Sequence, residues 1–204
     1  MDLIELFFDI ETKTFFDETG NSDPAQLGAS IVSVYHRRLG PDLLEIAGEM
    51  RSFWDSELHD MWHLFRSAHR VIGFNTINFD IPVLKPIAPA DFAKLPHFDI
   101  YQKIRDLNEG RAASLNRIAK DTLGIGKVDD PANAIMYWKK HDPESLALLK
   151  KYCEADVALT RDIYDYGRKH GHLKFTDKWN TPRQVPVDFS YPPDLIATAQ
   201  PSLF

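Results

Sequence analysis

The sequence contains a single cysteine, Cys153, among 204 residues. An internal disulfide and a zinc site built from several cysteines are therefore excluded, and a bound metal would need oxygen or imidazole ligands. Long apolar runs are also missing, since no stretch approaches the roughly 18 residues that a membrane span requires. The N-terminus carries Asp2 and Glu5 where a signal peptide would carry basic residues. We therefore expect a cytoplasmic protein with no membrane partner.

Positive charge is in deficit, because 24 Lys and Arg residues stand against 30 Asp and Glu residues, which leaves a net charge of -6. This balance disfavours a protein that coats nucleic acid, since neutralising many phosphates takes a surplus of basic residues. It does not exclude an enzyme that grips a few nucleotides at a strand end, because a local cationic groove is enough for that purpose. The length and the 44% hydrophobic content predict one well-packed core.

Residue spacing and turn residues predict an alternation of strands and helices. Pro143 in the first turn and Gly171 just past the end delimit the longest predicted helix. Beyond Gly171 the sequence becomes rich in proline and loses helical periodicity, so we predict a catalytic domain over 1–172 and an extended proline-rich tail over 173–204. The predicted strands lie at 5–12, 28–37, 70–75 and 97–101, with weaker ones at 43–46 and 184–189, and the predicted helices lie at 55–67, 79–85, 114–123 and 143–170.

Asp9 and Glu11 occupy a segment that is otherwise apolar, Leu6-Phe7-Phe8-Asp9-Ile10-Glu11. A carboxylate inside a central strand costs several kcal/mol unless it is paired or bound to metal. Because the side chains of a strand repeat every two residues, the two acids project from the same face. The chain has two further Asp-x-Glu pairs, but both stand at predicted helix starts, where capping and the helix dipole explain them.

Asp156 interrupts the apolar face of the last predicted helix, because it falls on one stripe with Leu149, Cys153 and Ile163. Tyr152 lies one turn before Asp156, which places its phenol beside the carboxylate. A tyrosine in this position is also compatible with an ordinary core. We interpret Cys153 as a core-packing residue.

Asp80 stands where a predicted strand ends and a short helix begins, so it either caps that helix or joins the other acids. Catalysis by two divalent cations needs carboxylates that converge from several structural elements. A strand, a strand-helix junction and a late helix each supply such an acid. The sequence therefore predicts that Asp9, Glu11, Asp80 and Asp156 lie close together.

Three segments of the chain resemble the motifs of the DEDD exonucleases of the ribonuclease-H-like superfamily, in the DEDDy branch, whose third motif carries a tyrosine. These segments are FFDIET at 7–12, GFNTINFDIPVL at 73–84 and YCEADVALT at 152–160. Their wording is similar to the proofreading exonuclease domain of family B DNA polymerases. The resemblance implies an α/β, ribonuclease-H-like three-layer fold with a mixed five-stranded sheet flanked by helices. No polymerase domain follows within the 204 residues, so we expect no proofreading within the same polypeptide.

The same resemblance implies a catalytic set of Asp9, Glu11, Asp80, Tyr152 and Asp156. The four acids would bind two Mg²⁺ or Mn²⁺ ions, with Asp9 bridging both, while Tyr152 and Glu11 would orient the attacking water. The terminal nucleotide would be positioned by base stacking and polar contacts. The candidates for that role are Phe74, Asn75 and Phe79, and the candidates for phosphate contacts are Lys120, Lys127 and Arg111.

The implied activity is 3′-5′ hydrolysis of phosphodiester bonds at the 3′ end of nucleic acid, with single-stranded DNA preferred over RNA. An RNA-trimming exoribonuclease is an alternative, because the same four acids serve either sugar. A second alternative is a non-catalytic module of the same fold that docks a helicase or polymerase. A replication or repair protein is a further candidate partner. The presence of all four acids argues against the silent module, since a mutually repelling cluster has no use without catalysis.

Overall fold

The computed structural model describes residues 2–126 and 131–192. A mixed five-stranded sheet with the order β3-β2-β1-β4-β5 forms the middle layer. β2 pairs antiparallel with both β1 and β3, whereas β4 runs parallel to β1 and β5 runs parallel to β4. The strands are β1 (Leu3–Thr12), β2 (Ala29–Leu39), β3 (Glu45–Trp54), β4 (Arg70–Gly73) and β5 (His97–Asp99).

Helices cover both faces of the sheet. The longest, α7, has the predicted bounds because Asp142 caps its first turn through the Ser145 amide and Gly171 ends it with a left-handed backbone, φ 70°. In the described part of the chain, no helix is long and apolar enough to cross a membrane. The helices are α1 (Phe16–Thr19), α2 (Trp62–Ser67), α3 (Asp80–Leu84), α4 (Ile100–Leu107), α5 (Leu115–Leu123), α6 (Pro131–Lys140) and α7 (Pro143–His170).

Alternation along β1 divides the core into two layers. Leu6, Phe8 and Ile10 pack into the cluster on one face of the sheet. Phe7 packs into the cluster on the other face, which contains buried residues of α7 such as Val157 and Ile163. Because side chains alternate, Glu5, Asp9 and Glu11 share the face of Phe7, which α7 covers. This arrangement is the expected ribonuclease-H-like α/β fold, and it brings three acids of β1 under one helix.

Several predicted elements differ from the observed ones. The weak strand at 43–46 is wrong in extent, because β3 spans Glu45–Trp54; as an edge strand it is mostly exposed and lacks a clear apolar alternation. The strand at 97–101 ends at Asp99, whose side chain caps α4. The helix at 55–67 is a 3₁₀ helix (Asp55–Met61) followed by α2. α6 was not predicted.

Residues 173–192 differ from the extended tail expected there. β6 (Leu173–Thr176) and β7 (Pro182–Val185) form an antiparallel hairpin, and Thr122 of α5 binds the backbone of Lys174. Val187, Phe189 and Tyr191 are buried. These three residues lie two positions apart between Pro186 and Pro192. Their spacing lets an extended backbone bury all three side chains without forming a helix, which explains why the segment is packed and not a free tail. The domain boundary at residue 172 stays a prediction, and the rest of the expected tail lies outside the described residues.

Candidate metal centre

Three of the predicted acids meet above the sheet. Asp9 and Glu11 of β1 and Asp156 of α7 each offer a carboxylate oxygen, and these oxygens all lie within 4.8 Å of one another. Asp156 is 5% exposed, and the two β1 acids are half-buried. Carboxylates held this close repel one another, and a divalent cation relieves that repulsion. An oxygen-only donor set suits Mg²⁺ or Mn²⁺, so the residues present fit the implied ions.

Asp80 borders this cluster and is not a member of the 4.8 Å group found in the described residues. It begins α3 and is 4% exposed, and its carboxyl group hydrogen-bonds to the backbone of Ile10, the residue between Asp9 and Glu11. Burial raises the pKa of Asp80 to about 8, and the charge of Asp99 adds to the shift, whereas backbone hydrogen bonds oppose it. The role of Asp80 as a metal ligand stays a prediction.

Asp99 fixes the loop that leads to Asp80, and the sequence interpretation missed it. Its buried carboxylate accepts hydrogen bonds from the backbone amides of Asn75 at 2.8 Å and Ile77 at 2.9 Å, and also from the amide of Gln102 at 3.2 Å. Asn75 adopts a left-handed backbone with φ 63°, which this anchoring stabilises. An acid placed directly between a strand and a helix is the signal that identifies such a cap.

Phe74 and Phe79 are half-buried and have different surroundings. The ring of Phe74 lies 5.5 Å from that of Tyr101, and Phe74 packs against the α7 side of the core. The ring of Phe79 lies 6.3 Å from that of Phe16, which is exposed. Phe79 thus belongs to an aromatic pair that reaches the surface. Contacts of Phe74, Asn75 and Phe79 with a nucleotide stay predictions.

Tyr152 and Cys153 precede Asp156 on α7 and are both buried. Tyr152 is 7% exposed and packs in a small cluster with Ile31 and Leu149. The Cys153 thiol donates a weak hydrogen bond to the backbone oxygen of Asp9 at 3.5 Å. Burial raises the pKa of Cys153 well above its usual value, and the charges of Asp9 and Glu11 add to this effect. The prediction that Cys153 is a core residue is confirmed, whereas the role of Tyr152 stays a prediction.

The sequence interpretation missed two lysines, Lys13 just after β1 and Lys139 on α6. Lys13 continues the two-residue repeat of Asp9 and Glu11, which is the signal that identifies it. Its Nζ lies 3.0 Å from Asp55 Oδ2 and 5.8 Å from the centre of the Trp138 ring. Lys139 Nζ pairs with Glu18 and lies 5.4 Å from the centre of the Phe15 ring. Each lysine thus contacts both an acid and an aromatic ring.

The three basic residues predicted to contact phosphate, Arg111, Lys120 and Lys127, lie in different parts of the chain. Arg111 lies against the ring of Trp179, with 5.0 Å between the guanidinium carbon and the ring centre. Lys120 is exposed in the last turn of α5. Lys127 lies outside the described residues. The proposed contacts of Lys120 and Arg111 with phosphate therefore stay predictions.

A comparison with protein families places the chain. The family model RNase_H_2, described as RNase_H superfamily, matches residues 6–167, from β1 through most of α7. No curated protein matches the chain. A domain of this superfamily indicates a nuclease-like function and nucleic-acid binding, and its fold usually uses divalent metal ions, which agrees with the carboxylates found here. Because the match spans β1, α3 and α7, the three elements that carry the predicted acids, the chain belongs to the RNase H superfamily.

Proposed function

We propose that the chain is a metal-dependent 3′-5′ exonuclease that hydrolyses phosphodiester bonds at the 3′ end of single-stranded DNA. The observation that carries the proposal is the convergence of Asp9, Glu11 and Asp156 within 4.8 Å. The resemblance to the DEDDy motifs, with Tyr152 one turn before Asp156, supports the exonuclease type and its direction.

The resemblance to the DEDDy exonucleases supplies the roles that we propose for the acids. Two divalent cations, when bound, would activate water and stabilise the leaving 3′ oxygen. We assign Asp9, Glu11, Asp80 and Asp156 as the residues that would hold them. Asp9 and Glu11 lie on the part of β1 that pairs with β2, and the preceding residues Glu5 to Phe7 also pair with β4, so both acids project from an anchored strand. Tyr152 and Glu11 would hold the water in line for attack.

Substrate contacts would come from aromatic and basic side chains. Phe79 and its exposed partner Phe16 offer a stacking surface for the terminal base, and stacking tolerates any base. Phe74 and Asn75 would complete this nucleotide site. Lys13, two residues past Glu11 in the chain, and Lys139, which pairs with Glu18 of α1, would contact the phosphates.

The test uses 5′-labelled single-stranded DNA and the RNA of the same sequence, each incubated with Mg²⁺, with Mn²⁺ or with EDTA. We expect the DNA to be shortened as a ladder from its 3′ end only when metal is present, and faster than the RNA. Asp156→Asn should be inactive. Glu154→Gln is the matched control, because Glu154 lies on the same helix but accepts a hydrogen bond from Ser52 at 2.7 Å, outside the acid cluster.

Three outcomes would contradict the proposal. Internal cuts in a circular single strand would show an endonuclease. Faster shortening of RNA would support the exoribonuclease alternative. Binding of DNA without any cleavage in either metal would support a non-catalytic docking module.

A further inference from the structure

Trp179 is a large aromatic side chain displayed at the tip of the β6–β7 hairpin. It is 58% exposed. The Lys178 Nζ lies 4.6 Å from the centre of its ring and the Arg111 guanidinium carbon lies 5.0 Å away. Arg111 also pairs with the exposed Glu109 at 3.1 Å, which leaves part of its charge available. An exposed aromatic ring beside two cations is the combination that stacks a base and contacts its phosphates.

The turn that carries Trp179 is held in place from below. The buried carboxylate of Asp177 accepts hydrogen bonds from the backbone amides of Trp179 and Thr181, both at 2.9 Å. Arg183 donates to the same carboxylate at 2.9 and 3.0 Å. Arg117 of α5 donates to the backbone oxygen of Asp177 at 3.1 Å. An ordered turn presents the indole at little further cost in conformational entropy on binding.

This surface lies at the opposite end of the sheet from the metal centre. α4 starts at Ile100, at the carboxyl end of β5, and ends at Leu107. Leu107 lines a cavity of about 600 Å³ together with His69 and Pro96. Those two residues immediately precede β4 and β5. The Arg111 amide binds the backbone oxygen of Asn108, just past α4, so Arg111 lies near the same end. α4, which is eight residues and ~12 Å long, thus runs from the carboxyl end of β5 toward the end of the sheet near which Arg111 lies.

We propose that Trp179, Arg111 and Lys178 form a second contact for single-stranded nucleic acid, which stacks a base several nucleotides away from the strand end held by the acids. The inference rests on the proposed function, because it takes a nucleic-acid strand as the ligand. The contact holds long strands and takes no part in the hydrolysis of the terminal bond. Affinity should therefore rise once a strand is long enough to reach from the metal centre to Trp179.

The test measures binding of a deoxythymidine oligonucleotide on the order of 20 nucleotides in EDTA, where nothing is cleaved. Trp179→Ala should weaken binding by a factor between about 5 and 100, and Trp179→Phe should weaken it less, since a ring remains. Leu44→Ala, which truncates another exposed apolar side chain, should leave affinity unchanged. With metal present, Trp179→Ala should raise KM for the long strand and leave hydrolysis of a dinucleotide unaltered.

Fluorescence supplies a readout that a purely structural role would not move. The chain has four tryptophans, so the signal of Trp179 is the difference between the unmodified protein and Trp179→Phe. The oligonucleotide should quench this difference signal in EDTA.

Unchanged affinity of Trp179→Ala would overturn the proposal, as would an unquenched Trp179, which would leave the surface to a protein partner. Equal losses on the dinucleotide and the long strand would also overturn it. If Trp179 is quenched but no strand is cleaved in either metal, the proposed function fails and this contact stands.

Discussion

The same strand and the same helix hold acids in two opposite ways. Toward the start of β1 and the end of α7, Glu5 and Asp165 each lie 2.6 Å from the Arg37 guanidinium. Toward the other ends of these elements, Asp9, Glu11 and Asp156 lie within 4.8 Å of one another. In the first region each acid pairs with the cationic side chain of Arg37, whereas in the second region three acids lie next to one another. The difference is instructive because both regions are covered by one helix and share one face of one sheet.

Phe7 separates the two regions. It is fully buried between Glu5 and Asp9 on the shared face, and its ring lies 4.8 Å from the Arg37 guanidinium carbon and 5.3 Å from the Tyr164 ring. Arg37 thus stays on the Glu5 side of an apolar barrier. A buried charge that serves the fold is matched by partners, as Glu5 is by Arg37 and the Tyr164 hydroxyl. Acids gathered against their mutual repulsion indicate a site for an added cation.

The largest expected contrast between the regions is in activity. Asp156→Asn should lower kcat by more than the ~100-fold that is typical of groups that only orient a metal ligand. Asp165→Asn, nine residues later on the same helix, should leave kcat unchanged and lower only the melting temperature, because Asp165 contacts Arg37. The measurement is single-turnover cleavage with saturating Mn²⁺. Comparable loss in both variants would mean that the two regions do not differ in function.

A smaller contrast is expected between two tyrosines of α7. Tyr152→Phe should lower the rate by roughly 10²-fold, as expected for a lost positioning group, and should leave metal affinity intact. Tyr164→Phe should leave the rate unchanged and destabilise the fold, because the Tyr164 hydroxyl donates to buried Glu5 at 2.6 Å. Calorimetry with Mn²⁺ and a rate measurement on each variant test this. A fall in metal affinity for Tyr152→Phe would refute its role as a water-orienting residue.

The region in which Arg37 pairs with Glu5 and Asp165 should contribute more to the free energy of unfolding than the metal centre does. Glu5 is 0% exposed, so Glu5→Gln leaves part of the Arg37 charge uncompensated. Asp165 and Glu45 remain as partners of Arg37, and the loss should therefore lie near the lower end for a broken buried pair, ~3 kcal/mol, or roughly 6–12 °C in Tm. kcat measured well below Tm should not change. A melting temperature within one degree of the unmodified protein would show that this network contributes little to folding.

Which of these features the sequence predicted follows from how local they are. Asp9 and Glu11 stand out because they interrupt an apolar strand, and Asp156 stands out because it interrupts an apolar helix face. The bounds of α5 and α7 follow from local caps at Ser114, Asp142 and Gly171.

Features that depend on packing between distant segments were harder to predict. β3 lies at the sheet edge and is mostly exposed, so its residues show no burial pattern. The hairpin of β6 and β7 packs against α5, which is some fifty residues earlier in the chain. The Glu5 network joins residues as far apart as Arg37 and Tyr164, and nothing in the local sequence around Glu5 indicates these partners.

The last expected effect concerns the stability of the metal-free protein and Asp80, the buried acid that borders the metal centre. Its pKa is raised to about 8 by burial, whereas an unfolded aspartate titrates near 4. As pH rises from about 4 to about 8, the unfolded state therefore releases this proton while the folded state retains it, and stability is lost across that window. In EDTA, Asp80→Asn should melt higher than the unmodified protein at pH 8, by up to ~4 kcal/mol or roughly 8–16 °C in Tm, and the difference should shrink toward pH 5. Asp142→Asn is the matched control, because hydrogen bonds from Ser145 lower the pKa of Asp142 to about 2, and the contribution of Asp142 to stability is therefore constant between pH 5 and 8.

Thermal melts between pH 5 and pH 8 test this prediction. A difference in melting temperature for Asp80→Asn that does not vary with pH would show that Asp80 is already ionised in the folded protein at pH 5. The buried charge of Asp80 would then be compensated by partners, as that of Glu5 is.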